Sequence, residues 1–96
     1  MNEIDSFRAE IDLLDNELLL LLGKRFVATR RIGEIKKLNN FAATDELRLS
    51  QLMQSWKTKA AENKIDTELA ESILGLIHHA VVSEHKAITH CSKTVN

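Results

Sequence analysis

The chain has no proline and only three glycines, Gly23, Gly33 and Gly75. No ring therefore forces a break in a helix. Cys91 is the only cysteine, which excludes an intrachain disulfide and fits a reducing cytoplasm. Excess charge of one sign is also missing: the net charge is -1 and the pI about 6.4. That argues against a general nucleic-acid binder, which carries a basic surplus. The longest purely apolar stretch, Leu18 to Leu22, is far too short to span a bilayer. Met1 to Phe7 hold two acids and no apolar run, so no secretory signal is expected there. A Gly-rich phosphate loop is absent. Ninety-six residues leave room for one domain, expected to span 1–96.

What is present is helical periodicity. Ile4, Phe7, Ile11, Leu14, Leu18, Leu21, Leu22 and Phe26 step by three and four, and Ile32, Ile35 and Leu38 resume the pattern. This predicts a first helix over about 5–38. Asn39-Asn40 suits its end. Thr44 offers the next N-cap, with Asp45 and Glu46 near the positive end of the helix dipole. A second helix is expected over about 45–62, closed by Asn63-Lys64. Asp66 is the next candidate cap, and a third helix over about 66–89 carries Leu69, Ile73, Leu76, Ile77, Ala80 and Val81. The polar tail His90 to Asn96 is expected to fray. The fold class is all-α, a three-helix protomer.

The first helix raises a problem of length. At 1.5 Å per residue it measures roughly 50 Å. A compact globule of this size has a radius of gyration of about 12–13 Å. Such a helix must project beyond its own domain with an apolar face still uncovered. An intertwined oligomer is the simplest remedy. The alternative is a helix broken near Gly23 or Gly33, giving a four-helix monomer.

Charges interrupt the second half of this helix. Arg25, Thr29, Ile32 and Lys36 are spaced 4, 3 and 4. Arg25 and Lys36 lie about 16 Å apart and within about 20° around the axis. They bracket a shallow stretch of small or apolar side chains and can grip both ends of a small dianion. A solvated basic face is the plainer alternative, since Arg30, Arg31 and Lys37 lie nearby. Arg8 is about 25 Å from Arg25 along a straight helix. It cannot share a small-molecule site with Arg25 in one chain, but it can reach an antiparallel partner's site. His78 and His85 stand about 10 Å apart on a helix, too far to share one metal unaided; no metal is expected.

Phe7-Arg8-x-x-Ile11-Asp12-x-x-Asp15-x-x-Leu18-Leu19-x-Leu21-Leu22-x-x-Arg25, then Ile32-Gly33-x-x-Lys36, resembles the all-helical chorismate mutase family. Asp45-x-x-Arg48 and the pattern from Ile73 to His85 extend the resemblance over about residues 4–88. The resemblance implies an intertwined homodimer with two composite active sites. Arg25 would pair with one substrate carboxylate, and Arg8 of the other subunit with the second. Lys36 would donate to the ether oxygen, Asp45 would lie by the ring hydroxyl, and Arg48 would support the charge network. The implied reaction is the pericyclic rearrangement of chorismate to prephenate, a step toward aromatic amino acids on the shikimate route. It needs no cofactor and no metal.

Three positions depart from the family pattern. Leu49 stands where a glutamate commonly recognises the ring hydroxyl, Val81 where a serine is usual, and His85 where a glutamine bonds the ether oxygen. Histidine can donate where glutamine would, as a neutral tautomer or as imidazolium. Activity is therefore expected to vary with pH near neutrality. An apolar residue at the Leu49 position also occurs in relatives that act as isochorismate-pyruvate lyases or 4-amino-4-deoxychorismate mutases. A dimeric helical binding module without catalysis is the non-enzyme alternative. A helix-turn-helix DNA binder is disfavoured by the charge and by the long first helix.

Overall fold

A computed structural model describes residues 2–40 and 45–94. They form three helices, α1 Glu3–Leu38, α2 Glu46–Glu62 and α3 Thr67–Thr94, and no strand among the described residues. The all-α expectation holds.

α1 starts two residues before the expected position, because Asn2 caps it. The Asn2 side chain accepts from the Asp5 amide at 2.8 Å, and Glu3 and Asp5 sit in the first turn near the helix dipole's positive end. The helix then runs unbroken through Gly23 and Gly33, which removes the broken-helix alternative. Each interior glycine costs only about 1 kcal/mol, too little to interrupt so long a ladder. At its end the Asn39 side chain donates to the Ile35 carbonyl at 2.9 Å, and Asn40 turns the chain with φ 56°.

The second helix begins differently from the expectation. Asp45 is its cap rather than its first residue, and its carboxylate accepts from the Arg48 amide at 3.0 Å. Thr44, the expected cap, lies outside the described residues. The α2 terminus repeats the asparagine device, with Asn63 donating to the Lys59 carbonyl at 2.8 Å. Lys64 then takes φ 58°, the Ile65 amide reaches back to the Ala60 carbonyl at 2.8 Å, and the Lys64 amide reaches the Ala61 carbonyl at 3.2 Å. This is a Schellman closure with lysine where glycine is usual. Asp66 caps α3 as expected, accepting from the Glu68 amide at 3.1 Å. The helix continues to Thr94, past the expected end at 89 and through part of the tail expected to fray. No glycine or proline follows Gly75 to stop it.

The tight Asn63–Asp66 connection folds α3 back along α2, and a Lys57–Glu71 ion pair of 3.0 Å spans the two. α3 also packs on the C-terminal half of α1, while α1 and α2 do not approach each other closely among the described residues. The buried apolar residues are Ala60, Ala70 and Leu74. Two small side chains at the α2–α3 crossing let the helix axes draw together.

This is a small core for so much apolar sequence. Residues 2–21 of α1 are exposed throughout. Phe7, Ile11, Leu14, Leu18 and Leu21 are each more than half exposed, as are Leu19 and Leu20 on other faces of the same turns. The radius of gyration is 17.4 Å and the longest extent 61 Å, against about 12–13 Å for a compact chain of this length. The projecting helix expected from length alone is present. No helix among the described residues is long and apolar enough to cross a membrane.

Candidate active site

The three helices enclose one end of the molecule around a cleft of about 150 Å³. α1 supplies Arg25, Thr29, Ile32 and Lys36. Their 4-3-4 spacing keeps all four on one stripe, which is the stripe α3 packs beside. α2 contributes Asp45, Arg48, Leu49 and Leu52 from its first two turns. α3 contributes Leu74, His78, Val81, Val82 and His85.

The cations of this cleft differ from the other arginines of α1. Arg30 pairs with Glu84 at 3.4 Å and Arg31 with Glu34 at 3.3 Å. Among the described residues, none of Arg25, Lys36 and Arg48 pairs with a carboxylate. All three border the cleft, where Asp45 is the one acidic neighbour. With both histidines neutral, the lining carries a net charge of +2. The α1 charges thus divide: Arg30 and Arg31 are neutralised by acids, while Arg25 and Lys36 face a cavity with apolar walls.

Arg8 is elsewhere. Its side chain is exposed and lies 3.8 Å from Asp5. It does not line the cleft of its own chain, in keeping with the roughly 25 Å that separate it from Arg25 along the helix.

His85 is buried, with 4% of its surface exposed. Its Nε2 lies 2.7 Å from the Thr29 carbonyl oxygen. A carbonyl only accepts, so Nε2 carries the proton. Gly33 permits this seat: a Cβ there would stand 2.6 Å from Cδ2 of the ring. Nδ1 is buried and has no partner among the described residues. This revises the expectation for a neutral His85. Its one N–H is spent on Thr29, and only the imidazolium has a second N–H to offer.

Of the residues expected at a site, the structure brings Arg25, Lys36, Asp45, Arg48, Leu49, Val81 and His85 around one cleft and leaves Arg8 apart. Leu52, Leu74, His78 and Val82 were not among the expected site residues. The 74-78-81-85 spacing on α3 is a helical stripe that carries the signal. Among the described residues no group of three or more His, Cys, Asp or Glu could hold a metal. His79, its neighbour in sequence, is exposed.

The sequence pattern of the family described as chorismate mutase type II matches residues 7–86. The match takes in every residue of the cleft as well as Arg8. No curated protein matches the chain. With four-fifths of its length covered by that pattern, the chain belongs to the chorismate mutase type II family.

Proposed function

We propose that this protein is a chorismate mutase, converting chorismate to prephenate by an intramolecular pericyclic rearrangement. The observation that carries the reading is the set of cations without acidic partners, Arg25, Lys36 and Arg48, around a small cleft with apolar walls. Chorismate is a dicarboxylate, and the net positive lining attracts it. Arg25 holds one carboxylate through its planar fork. Lys36 donates to the ether oxygen, on which negative charge grows as the C–O bond breaks. Arg48 reinforces the field, and Asp45 borders the cleft at the start of α2. Two effects combine: the cations hold the substrate in its compact reactive conformer, and they stabilise the transition state more than the ground state. The rearrangement itself needs no nucleophile and no proton transfer.

The second carboxylate requires a cation that this chain's own cleft lacks, and a partner's Arg8 supplies it. An antiparallel dimer covers the bare apolar face of α1 and brings Arg8 to the other subunit's cleft in one step. The run Leu18–Leu22 supports this, since a helix apolar all round is one that is buried. Dimerisation is then a condition of catalysis as well as of burial. Synthesis of aromatic amino acids in the cytoplasm is the setting this activity fits.

The test is an absorbance assay with chorismate, isochorismate and 4-amino-4-deoxychorismate in parallel. Loss of chorismate with formation of prephenate is expected. Arg25→Ala should lower kcat by at least about 100-fold, the scale of removing one charge-stabilising donor, with helical content and oligomeric state retained. Pyruvate from isochorismate with no prephenate from chorismate would replace the mutase reading with a lyase one. Full activity in Arg25→Ala would dismiss the cleft as the active site, and no turnover of any of the three substrates by the wild type would leave a helical binding module.

A further inference from the structure

The geometry points to His78 as a specificity-determining residue that binds the polar substituent of the substrate's ring, and this rests on the proposed function. The position of His78 in the cleft follows from the α2–α3 hairpin. Lys57 and Glu71 pair across it. In an antiparallel hairpin, a step toward the start of α2 matches a step toward the end of α3. Eight residues back from Lys57 is Leu49, and eight beyond Glu71 is His79. His78 is thus level with Leu49, and both line the cleft. One turn toward the hairpin turn, Leu52 and Leu74 close it with hydrocarbon.

The polar groups of the cleft have distinct capacities. Arg25, Lys36 and Arg48 only donate hydrogen bonds. His85 lies about 10 Å along α3 from His78, with its Nε2–H held by Thr29. Asp45 is exposed, and one of its carboxylate oxygens caps α2. His78 is half-buried and has no hydrogen bond among the described residues. A neutral imidazole offers one donor and one acceptor, which matches a hydroxyl group. Leu49, level with it, offers neither. His78 therefore supplies recognition of the ring hydroxyl beside Leu49 with both a donor and an acceptor, where the neighbouring cations only donate. A residue acting through that hydroxyl alone discriminates between substrates without taking part in breaking the ether bond.

The experiment compares chorismate with an analogue that has hydrogen in place of the ring hydroxyl. It uses the wild-type protein, His78→Leu, His78→Gln and Asp45→Asn, with circular dichroism to check that each variant is folded. His78→Leu should lower kcat/KM for chorismate on the order of tenfold, mostly through KM, because a buried hydroxyl loses its partner. For the analogue the same variant should stay within about twofold of wild type. His78→Gln should recover most of the loss. An equal loss on both substrates, or none on either, would overturn the assignment. So would a loss of discrimination in Asp45→Asn with none in His78→Leu, which would give the hydroxyl to Asp45. Wild-type protein inactive on chorismate would instead overturn the proposed function, and this assignment with it.

Discussion

Replacing Gly33 with alanine tests how closely α3 is seated on α1. The new Cβ would stand 2.6 Å from Cδ2 of His85, 3.0 Å from Nε2 and 3.2 Å from Cγ. The first of these distances is too short for any real contact, so the ring or the helix must move. His85 has little room, being only 4% exposed, and its Nε2 bond to Thr29 is 2.7 Å long. Overpacking costs about 1–3 kcal/mol. Separating Nε2 from the Thr29 carbonyl while both stay buried costs about 1–3 kcal/mol more. Alanine's better helix propensity returns about 1 kcal/mol. The net is a destabilisation of about 1–5 kcal/mol, with a midpoint of about 3 kcal/mol. For a chain of this size that lowers the melting temperature by roughly 10–25 °C. Gly75 is the control, since a Cβ there meets nothing within 4 Å. Alanine at this position should stabilise by about 0.5–1 kcal/mol. Thermal melts followed by circular dichroism at one protein concentration make the comparison, because any assembly ties stability to concentration. A Gly33→Ala protein that melts at or above wild type refutes the reasoning. A second check is the double variant Gly33→Ala/His85→Ala. With the ring gone, the penalty of the alanine should largely disappear, and a penalty that persists would place the clash elsewhere.

Two further outcomes are expected. In the proposed dimer, Leu18→Asp puts a charge in the middle of the α1 interface and should shift sedimentation from dimer to monomer, with turnover falling in parallel; an unchanged sedimentation coefficient would remove that face from any interface. His85→Leu removes the bond to the Thr29 carbonyl and should destabilise the protein by about 1–3 kcal/mol in a thermal melt. An unchanged melting temperature would show that the ring does not seat α3 on α1.

The positions of the helix boundaries show how far local chemistry reaches. Asn39, Asn63 and Asp66 act where the sequence placed them, because capping needs only neighbours three or four residues away. The same local rule applies at Asn2 and Asp45, which cap α1 and α2, and both helices start within two residues of the expected positions. Arg25 and Lys36 were also legible, since a fixed spacing on a helix fixes a face, while Asp45 and Arg48 followed from the family resemblance. Their neighbours were harder. His78 belongs to the cleft only because the α2–α3 hairpin sets it level with Leu49, and no spacing within α3 states that register.

The sequence by itself determined an all-helical chain, a first helix too long for a compact monomer, and a stripe of cations along it. Each follows from periodicity, the absence of proline and the fixed rise of a helix. Only the tertiary structure decided which cations face a shared cleft and that Arg30 is neutralised by Glu84 of α3. Only it showed that Gly33 is the floor on which His85 rests, so that the histidine's proton goes to Thr29. The reason is physical: a side chain's face comes from its own helix, but its partner comes from how two helices cross. That crossing depends on contacts between residues more than fifty positions apart in the chain.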